Sequence, residues 1–276
     1  FWVGERVGLP AWVIQRLWIA ALLVVAFWGM LRVLEALPVG RPNGRIVGAL
    51  TYALSPILLA QVAYRSGGLL PTAFLPLALA PLITGSRQGS PRRAAALSAV
   101  AVGFMGGVNG AATLLVLAVP ALYLLTREPG ARRRRLMLWW GGLVVAVSAW
   151  WIGPLLLQLR YGVDFLSVTE QAATTTGVNS LTEILRGTAY WELNLRVDGR
   201  PWIPAGVRLG SQALTVMGTM LLATLGIVGL ALDHLRERRY LVLQLAAGVA
   251  AMAAGYAGAF GGPLSGPVQD LLDGAL

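Results

Sequence analysis

Asp164 and Glu170 form a close pair of carboxylates inside the polar stretch 159–211, which also holds Arg186, and Arg16, Arg65 and Arg160 lie near the ends of apolar runs. Carboxylates in such a pair suit proton transfer, or the holding of a hard divalent cation such as Mg²⁺. Their spacing alone assigns neither role. Arginine forks suit a phosphate, and at a membrane surface that phosphate would be lipid-linked. Arg16 follows Gln15 in "AWVIQRLWIA", where it also fits a plain anchor that reaches to the interface. Transition-metal chemistry has little to work with, because Cys is absent and His234, in "DHLRERR", is the single histidine. The glycine-rich "GGVNG" (106–110) lacks the Lys-Ser/Thr that a nucleotide phosphate loop needs, and reads as a turn with Asn109 at its tip.

The elements that must position these residues are mostly apolar. The 276 residues are 57% hydrophobic and 12% charged, with a mean hydropathy of +0.68. A soluble domain carries about 25% charged residues. All 22 basic residues are arginine, and no function is taken from that. The composition describes an all-α polytopic membrane protein. The chain opens at Phe1 without a basic leader and closes on "GPVQDLLDGAL", a stretch with the look of a helix in mid-course. It reads as a piece of a longer protein.

Apolar runs fall near 17–37, 46–63, 69–84, 94–108, 111–126, 136–158, 212–232 and 240–260, giving an expectation of about eight spans. A helix needs about 20 residues to cross the hydrocarbon core, so the short runs from 46 to 126 must be buried among other helices or thin the bilayer. Stretch 94–126 is read as a hairpin broken at "GGVNG", because arginines flank both its ends. The charges then sort by side. One face holds fourteen arginines against four acids, a net +10; the other holds eight arginines and eight acids. By the positive-inside rule the first face is cytosolic. Residues 1–276 are read as a single transmembrane domain of a multi-pass plasma-membrane protein, with 159–211 as its extracytoplasmic loop.

Within that loop, "VNSLTEILRGTAYWEL" (178–193) carries helix punctuation. Ser180 with Glu183 fits a capping box, and Gly187 suits a left-handed stop. Leu181, Ile184 and Leu185 share one face, so a short amphipathic helix is expected near 180–187. Tyr190 and Trp191 are the aromatics of a membrane–water boundary. The segment reads either as a capped helix that tidies the loop or as a lid over an outer-leaflet site. On the opposite face, Arg132, Arg133, Arg134 and Arg135 form a cluster that orients the chain and binds anionic lipid, or docks an acidic cytosolic protein. Nucleic acid is not expected, since the arginines hug membrane ends.

Several stretches, in this order, resemble one family: "GLPAWVIQRLW", "GALTYALSP", "GSPRRAAALSAVAVGFMGGVNGAATL", "WW" (150–151), "SLTEILRGTAYW" and "GPVQDLLDG". The chain is similar over nearly its whole length to the large membrane α-(1→3)-arabinofuranosyltransferases of mycobacteria, C-type glycosyltransferases. The resemblance implies a C-type helix bundle and transfer of arabinofuranose from polyprenyl-phosphate arabinose to arabinan of the cell envelope. It implies a catalytic acid in the first external loop, ahead of Phe1, so that these residues alone would be inactive. The substrate-binding candidates are Arg16, Arg65, Asp164, Glu170, Arg186, Tyr190 and Trp191. Two stretches depart from the family: "FLSVTEQ", where Ser167 replaces an acid while Glu170 is kept, and "YRSGGLLP" (64–71). Both lie on the outer face and bear on donor, acceptor or linkage. Two other classes fit the residues alone: a transporter or flippase for a lipid or polyol, which calls for an internal repeat that the sequence lacks, and a non-catalytic carbohydrate-binding scaffold.

Overall fold

The computed structural model describes residues 1–62, 66–162, 171–232, 235 and 237–275. The chain falls into two compact units, Phe1–Leu156 and Leu157–Leu276.

The first unit contains α1 (Trp2–Arg6), α2 (Ala11–Ala36), α3 (Pro42–Ala53), α4 (Pro56–Val62), α5 (Ser66–Arg87), α6 (Pro91–Met105), α7 (Gly110–Leu125) and most of α8 (Ala131–Tyr161). Local chemistry sets many of these boundaries. Pro42 and Pro91 open α3 and α6, where a missing N–H costs nothing. Ser90 Oγ accepts from the Arg93 N–H at 3.4 Å, and Asn109 Oδ1 from the Ala112 N–H at 2.9 Å. Helix α5 is the hub, packed by α2, α4, α6 and α7. It contains Pro71, Pro76 and Pro81 in its interior, which a membrane helix tolerates when neighbours enclose it.

Small residues bring these helices close. A Cβ on Gly85 would lie 2.3 Å from Ala94 Cβ on α6, and one on Gly29 of α2 would lie 3.1 Å from Pro76 Cβ. Without a hydrophobic drive between helices in lipid, such close packing is what holds them. One core cluster joins Leu22, Ala26, Ala53, Leu58, Leu69 and Ala73; another joins Ala78, Ala101, Val102 and Met105.

The second unit holds the end of α8, then α9 (Ala172–Thr176), α10 (Leu181–Arg186), a 3₁₀ turn at Trp191–Leu193, β1 (Arg196–Val197), β2 (Arg200–Pro201), α11 (Pro204–Ser211), α12 (Ala213–Ala231), α13 (Arg238–Ala253) and α14 (Ser265–Ala275). The two strands pair antiparallel about Asp198 and Gly199, at φ 51° and 75°. That is the Asp-Gly signature of a tight hairpin, legible in "VDGR".

Among the described residues four helices are long and apolar enough to cross a membrane: α2, α5, Ala131–Gln158 of α8, and α12. The run 46–63 becomes a fifth only as the pair α3 and α4, bent by 46°. The runs 94–108, 111–126 and 240–260 yield α6, α7 and α13, of 15, 16 and 16 residues. At 1.5 Å per residue each covers about 22–24 Å, less than the roughly 30 Å of hydrocarbon. Helix α6 has its small residues Ala94, Ala95, Ser98 and Ala99 buried in the bundle, as its shortness requires.

Candidate functional site

The polar centre of the second unit is built on α10. Ser180 Oγ accepts from the Glu183 N–H at 3.3 Å, and Gly187 turns left-handed at φ 71°, ψ 23°. The expected start and stop of this helix are both present. The reciprocal half of the capping box is not made among the described residues. Instead the Glu183 carboxylate accepts from Arg186 Nη1 at 2.6 Å and from the Thr188 hydroxyl.

Arg186 is buried, with 2% of its side chain exposed. Its Nε donates to Thr219 Oγ1 on α12 at 3.0 Å, and its Nη2 to the Leu209 carbonyl in α11 at 3.0 Å. One guanidinium therefore ties α10 to α11 and α12, using the planar fork that lysine lacks. The Leu209 carbonyl at the end of α11 is a natural target for a cation, because the last carbonyls of a helix have no partner within it. Arg186 is so placed that all its described contacts are within the protein. Leu181 is 57% exposed, whereas Ile184 and Leu185 are half-buried. Tyr190 and Trp191, which follow, are half-buried beside the buried Glu192.

A second tie lies in the motif "GPVQDLLDG". Asp273 Oδ1 accepts from the Ala172 N–H at 2.8 Å. Gln269, one turn earlier on the same face, donates to Thr176 Oγ1 at 3.1 Å and to the Gly255 carbonyl at 2.7 Å. Asn179 Nδ2 donates to the Met252 carbonyl at 3.0 Å. Segment 171–179 is thus pinned to α13 and α14 by residues that no local pattern marks.

In the first unit, "GGVNG" breaks the chain between α6 and α7, and each of these helices packs on α5. Thr113 Oγ1 donates to the Gly106 and Asn109 carbonyls at 3.2 and 3.0 Å. Gly107 is required by contact: a Cβ there would lie 2.4 Å from the Trp151 ring. The motif "MGGVNG" thus packs on Trp151, the second residue of "WW", while Trp150 is exposed.

The remaining expected residues fall apart into different settings. Arg16 is exposed and stacks over Trp12 at 5.0 Å, the geometry of an interfacial anchor. In the arginine cluster, Arg132 Nη1 donates to the Gly85 and Gly89 carbonyls at 2.8 and 3.0 Å, and Arg133 Nη1 to the Arg127 carbonyl at 3.1 Å. Arg134 and Arg135 are exposed. Arg65, Asp164, Ser167, Glu170 and His234 lie outside the described residues. Among the described residues no three acids or histidines converge to hold a metal ion. Glu183 is engaged by Arg186, and Asp273 by an amide.

Long apolar helices packed through small residues define a membrane helix bundle. The chain belongs to the family described as the N-terminal GT-C domain of α-(1→3)-arabinofuranosyltransferase, which it matches over residues 1–276. It is 39% identical over its whole length to the α-(1→3)-arabinofuranosyltransferase of Mycolicibacterium smegmatis, of which it covers 19%. It is 38% identical to that of Mycobacterium tuberculosis, again over its whole length and covering 20%. The chain thus spans about a fifth of these relatives. A cryo-EM structure of the arabinofuranosyltransferase AftD from mycobacteria superposes with a TM-score of 0.72 at 33% identity, over 98% of this chain and 20% of that one. A mutant of that protein superposes with a TM-score of 0.59 over the same share of this chain.

Proposed function

We propose that this chain is the membrane part of a glycosyltransferase that moves arabinofuranose from a polyprenyl-phosphate donor to cell-envelope arabinan. The observation that carries the reading is the family match across all of residues 1–276, together with relatives named α-(1→3)-arabinofuranosyltransferase at 38–39% identity. In this reading the protein sits in the plasma membrane with its arginine-rich face in the cytosol, and 159–211 is extracytoplasmic. The charge sorting supports that orientation. Helices α6, α7 and α13 then enter the bilayer as short segments inside a larger bundle.

The residues divide by role. Arg65, Asp164, Glu170, Tyr190 and Trp191 are the candidates for contact with donor and acceptor, and Arg16 is a candidate that also serves as an interfacial anchor. The Glu183–Arg186 knot holds α10 as the lid's frame, and any divalent cation would be drawn by Asp164 and Glu170. Arg134 and Arg135 are left for anionic lipid or an acidic partner.

The test uses the full-length protein in membranes with labelled polyprenyl-phosphate arabinose and a short arabinan acceptor. Product that disappears when the acids of the first external loop are neutralised supports the transferase. Donor binding without transfer overturns it in favour of a scaffold, with Ser167 the first position to revert. A thiol reporter at Asn109 should react with an impermeant reagent from outside; reaction only from the cytosol overturns the orientation.

A further inference from the structure

A groove in the first unit has a chemistry that the transfer reaction leaves unused. It runs between α2 and α6 with α5 as its floor, and its volume is about 770 Å³, within the range of roughly 300–1,000 Å³ typical of small-molecule sites. One end is charged, with Arg32 and Glu35 from α2 and Arg93 from α6. Beyond that end the lining is apolar and includes Trp28, Leu97 and Phe104, which are 48%, 52% and 61% exposed. Arg93, Leu97 and Phe104 recur at helical spacing along one face of α6.

The groove's length carries the next step. Arg93 to Phe104 is eleven residues, or about 16 Å of helix. One leaflet of hydrocarbon is about 15 Å deep, half of the roughly 30 Å core. The charged end belongs to the arginine-rich end of the bundle, where Arg32 and Arg93 line the groove and Arg87 donates to the Ala36 carbonyl. From a membrane surface the groove therefore reaches close to the midplane. Its two arginines and one acid leave a net positive charge. Arg32 is held by Glu35 at 3.3 Å and lies over the Trp28 ring at 5.5 Å. The Arg93 side chain makes no hydrogen bond among the described residues.

We propose that this groove binds a glycerophospholipid with an anionic headgroup, taken from the leaflet at whose surface the arginines lie. The phosphate sits at Arg93 and Arg32, and an acyl chain follows Leu97 to Phe104. A helix laid in the groove would cover the charge of Arg93 and leave it without a counter-ion, which is costly unless an acid accompanies it. A phospholipid brings the negative charge and the apolar tail at the required separation.

The test is photolabelling of the full-length protein in nanodiscs with phosphatidylglycerol carrying a diazirine in its acyl chain, followed by peptide mapping. Labelling should concentrate on the peptide containing Leu97 and Phe104. Unlabelled phosphatidylglycerol should compete about fivefold better than phosphatidylcholine: both carry the phosphate, but the choline ammonium offsets its charge, and the difference is the scale of one arginine facing a net anionic headgroup. Arg93→Gln should abolish that preference. Leu97→Trp should reduce labelling of α6 and leave labelling of α12 unchanged. Equal labelling of α6 and α12 with no headgroup preference would overturn the proposal, since the groove would then be ordinary lipid-facing surface. An unlabelled α6 would also overturn it, because another protein segment would be the occupant. No readout depends on sugar transfer, so the result is independent of the catalytic reading.

Discussion

Arg186→Ala removes three hydrogen bonds at once: to Glu183 Oε1, Thr219 Oγ1 and the Leu209 carbonyl. It leaves Glu183 with Thr188 as its remaining side-chain donor. Breaking a buried ion pair from one side costs about 3–5 kcal/mol. The lower end applies here, because the Glu183 side chain is 31% exposed and water can take the vacated position. About 3 kcal/mol corresponds to roughly a hundredfold rise in local opening. The reporters are the amides of Gly187 and Thr188, which bond to Ile184 and Glu183 carbonyls at 3.0 and 2.9 Å across the helix stop. Hydrogen exchange of the full-length protein should show their protection falling by about that factor, with transfer and folded yield falling together. Arg186→Lys keeps the charge but not the fork, and should cost about half as much. If Arg186→Ala left exchange unchanged and yield intact while abolishing donor binding, the guanidinium would be a phosphate ligand and the structural argument would fail.

Gly107→Val drives a side chain into the Trp151 ring. It should destabilise the first unit by about 1–3 kcal/mol, read as lost yield and lower thermal stability, and Trp151→Ala in the same protein should restore part of the loss. Asp273→Ala frees the Ala172 amide, and Gln269→Ala frees Thr176 and Gly255. Each should cost about 1–2 kcal/mol and expose segment 171–179 to limited proteolysis, while cleavage elsewhere is unchanged. Replacing Arg134 and Arg135 together with Gln should weaken binding to anionic vesicles in a salt-sensitive way without lowering stability. Arg132→Gln should lower stability instead, because that side chain caps the Gly85 and Gly89 carbonyls; the opposite pattern would show that the cluster acts as one patch.

Where one residue's own chemistry decides a boundary, the sequence is sufficient. Pro42, Pro91, Asn109, Ser180 and Gly187 open or close helices by means that act within four residues. Apolar runs locate the helices, but the ends differ. Helix α2 begins at Ala11 and α8 at Ala131, because a helix continues through polar flanking residues until its chain geometry is interrupted. The apolar run 46–63 gives no sign of the bend between Ala53 and Pro56, although Pro56 follows Ser55 in "YALSP" and the residue before proline avoids helical geometry. The hairpin at Asp198–Gly199 is also open to reading from its dipeptide.

The partners of the polar side chains are not legible, and sequence separation shows why. Glu183 is three residues from Arg186, but Leu209 and Thr219 are 23 and 33 away; Arg132 reaches Gly85 across 47 residues, and Asp273 reaches Ala172 across 101. Charge sorting can say which side of a membrane an arginine occupies, since that depends on count alone. It cannot say whether the guanidinium is exposed to solvent or folded onto a helix terminus. Helix packing creates the difference, by leaving carbonyls at the ends of α5 and α11 that need donors. The arginines best placed to meet them become structural, as Arg132 and Arg186 do, while Arg134 and Arg135 stay exposed. In the run Arg132 to Arg135 both outcomes occur among neighbours, so a charge cluster has to be divided residue by residue before any part of it is given a ligand.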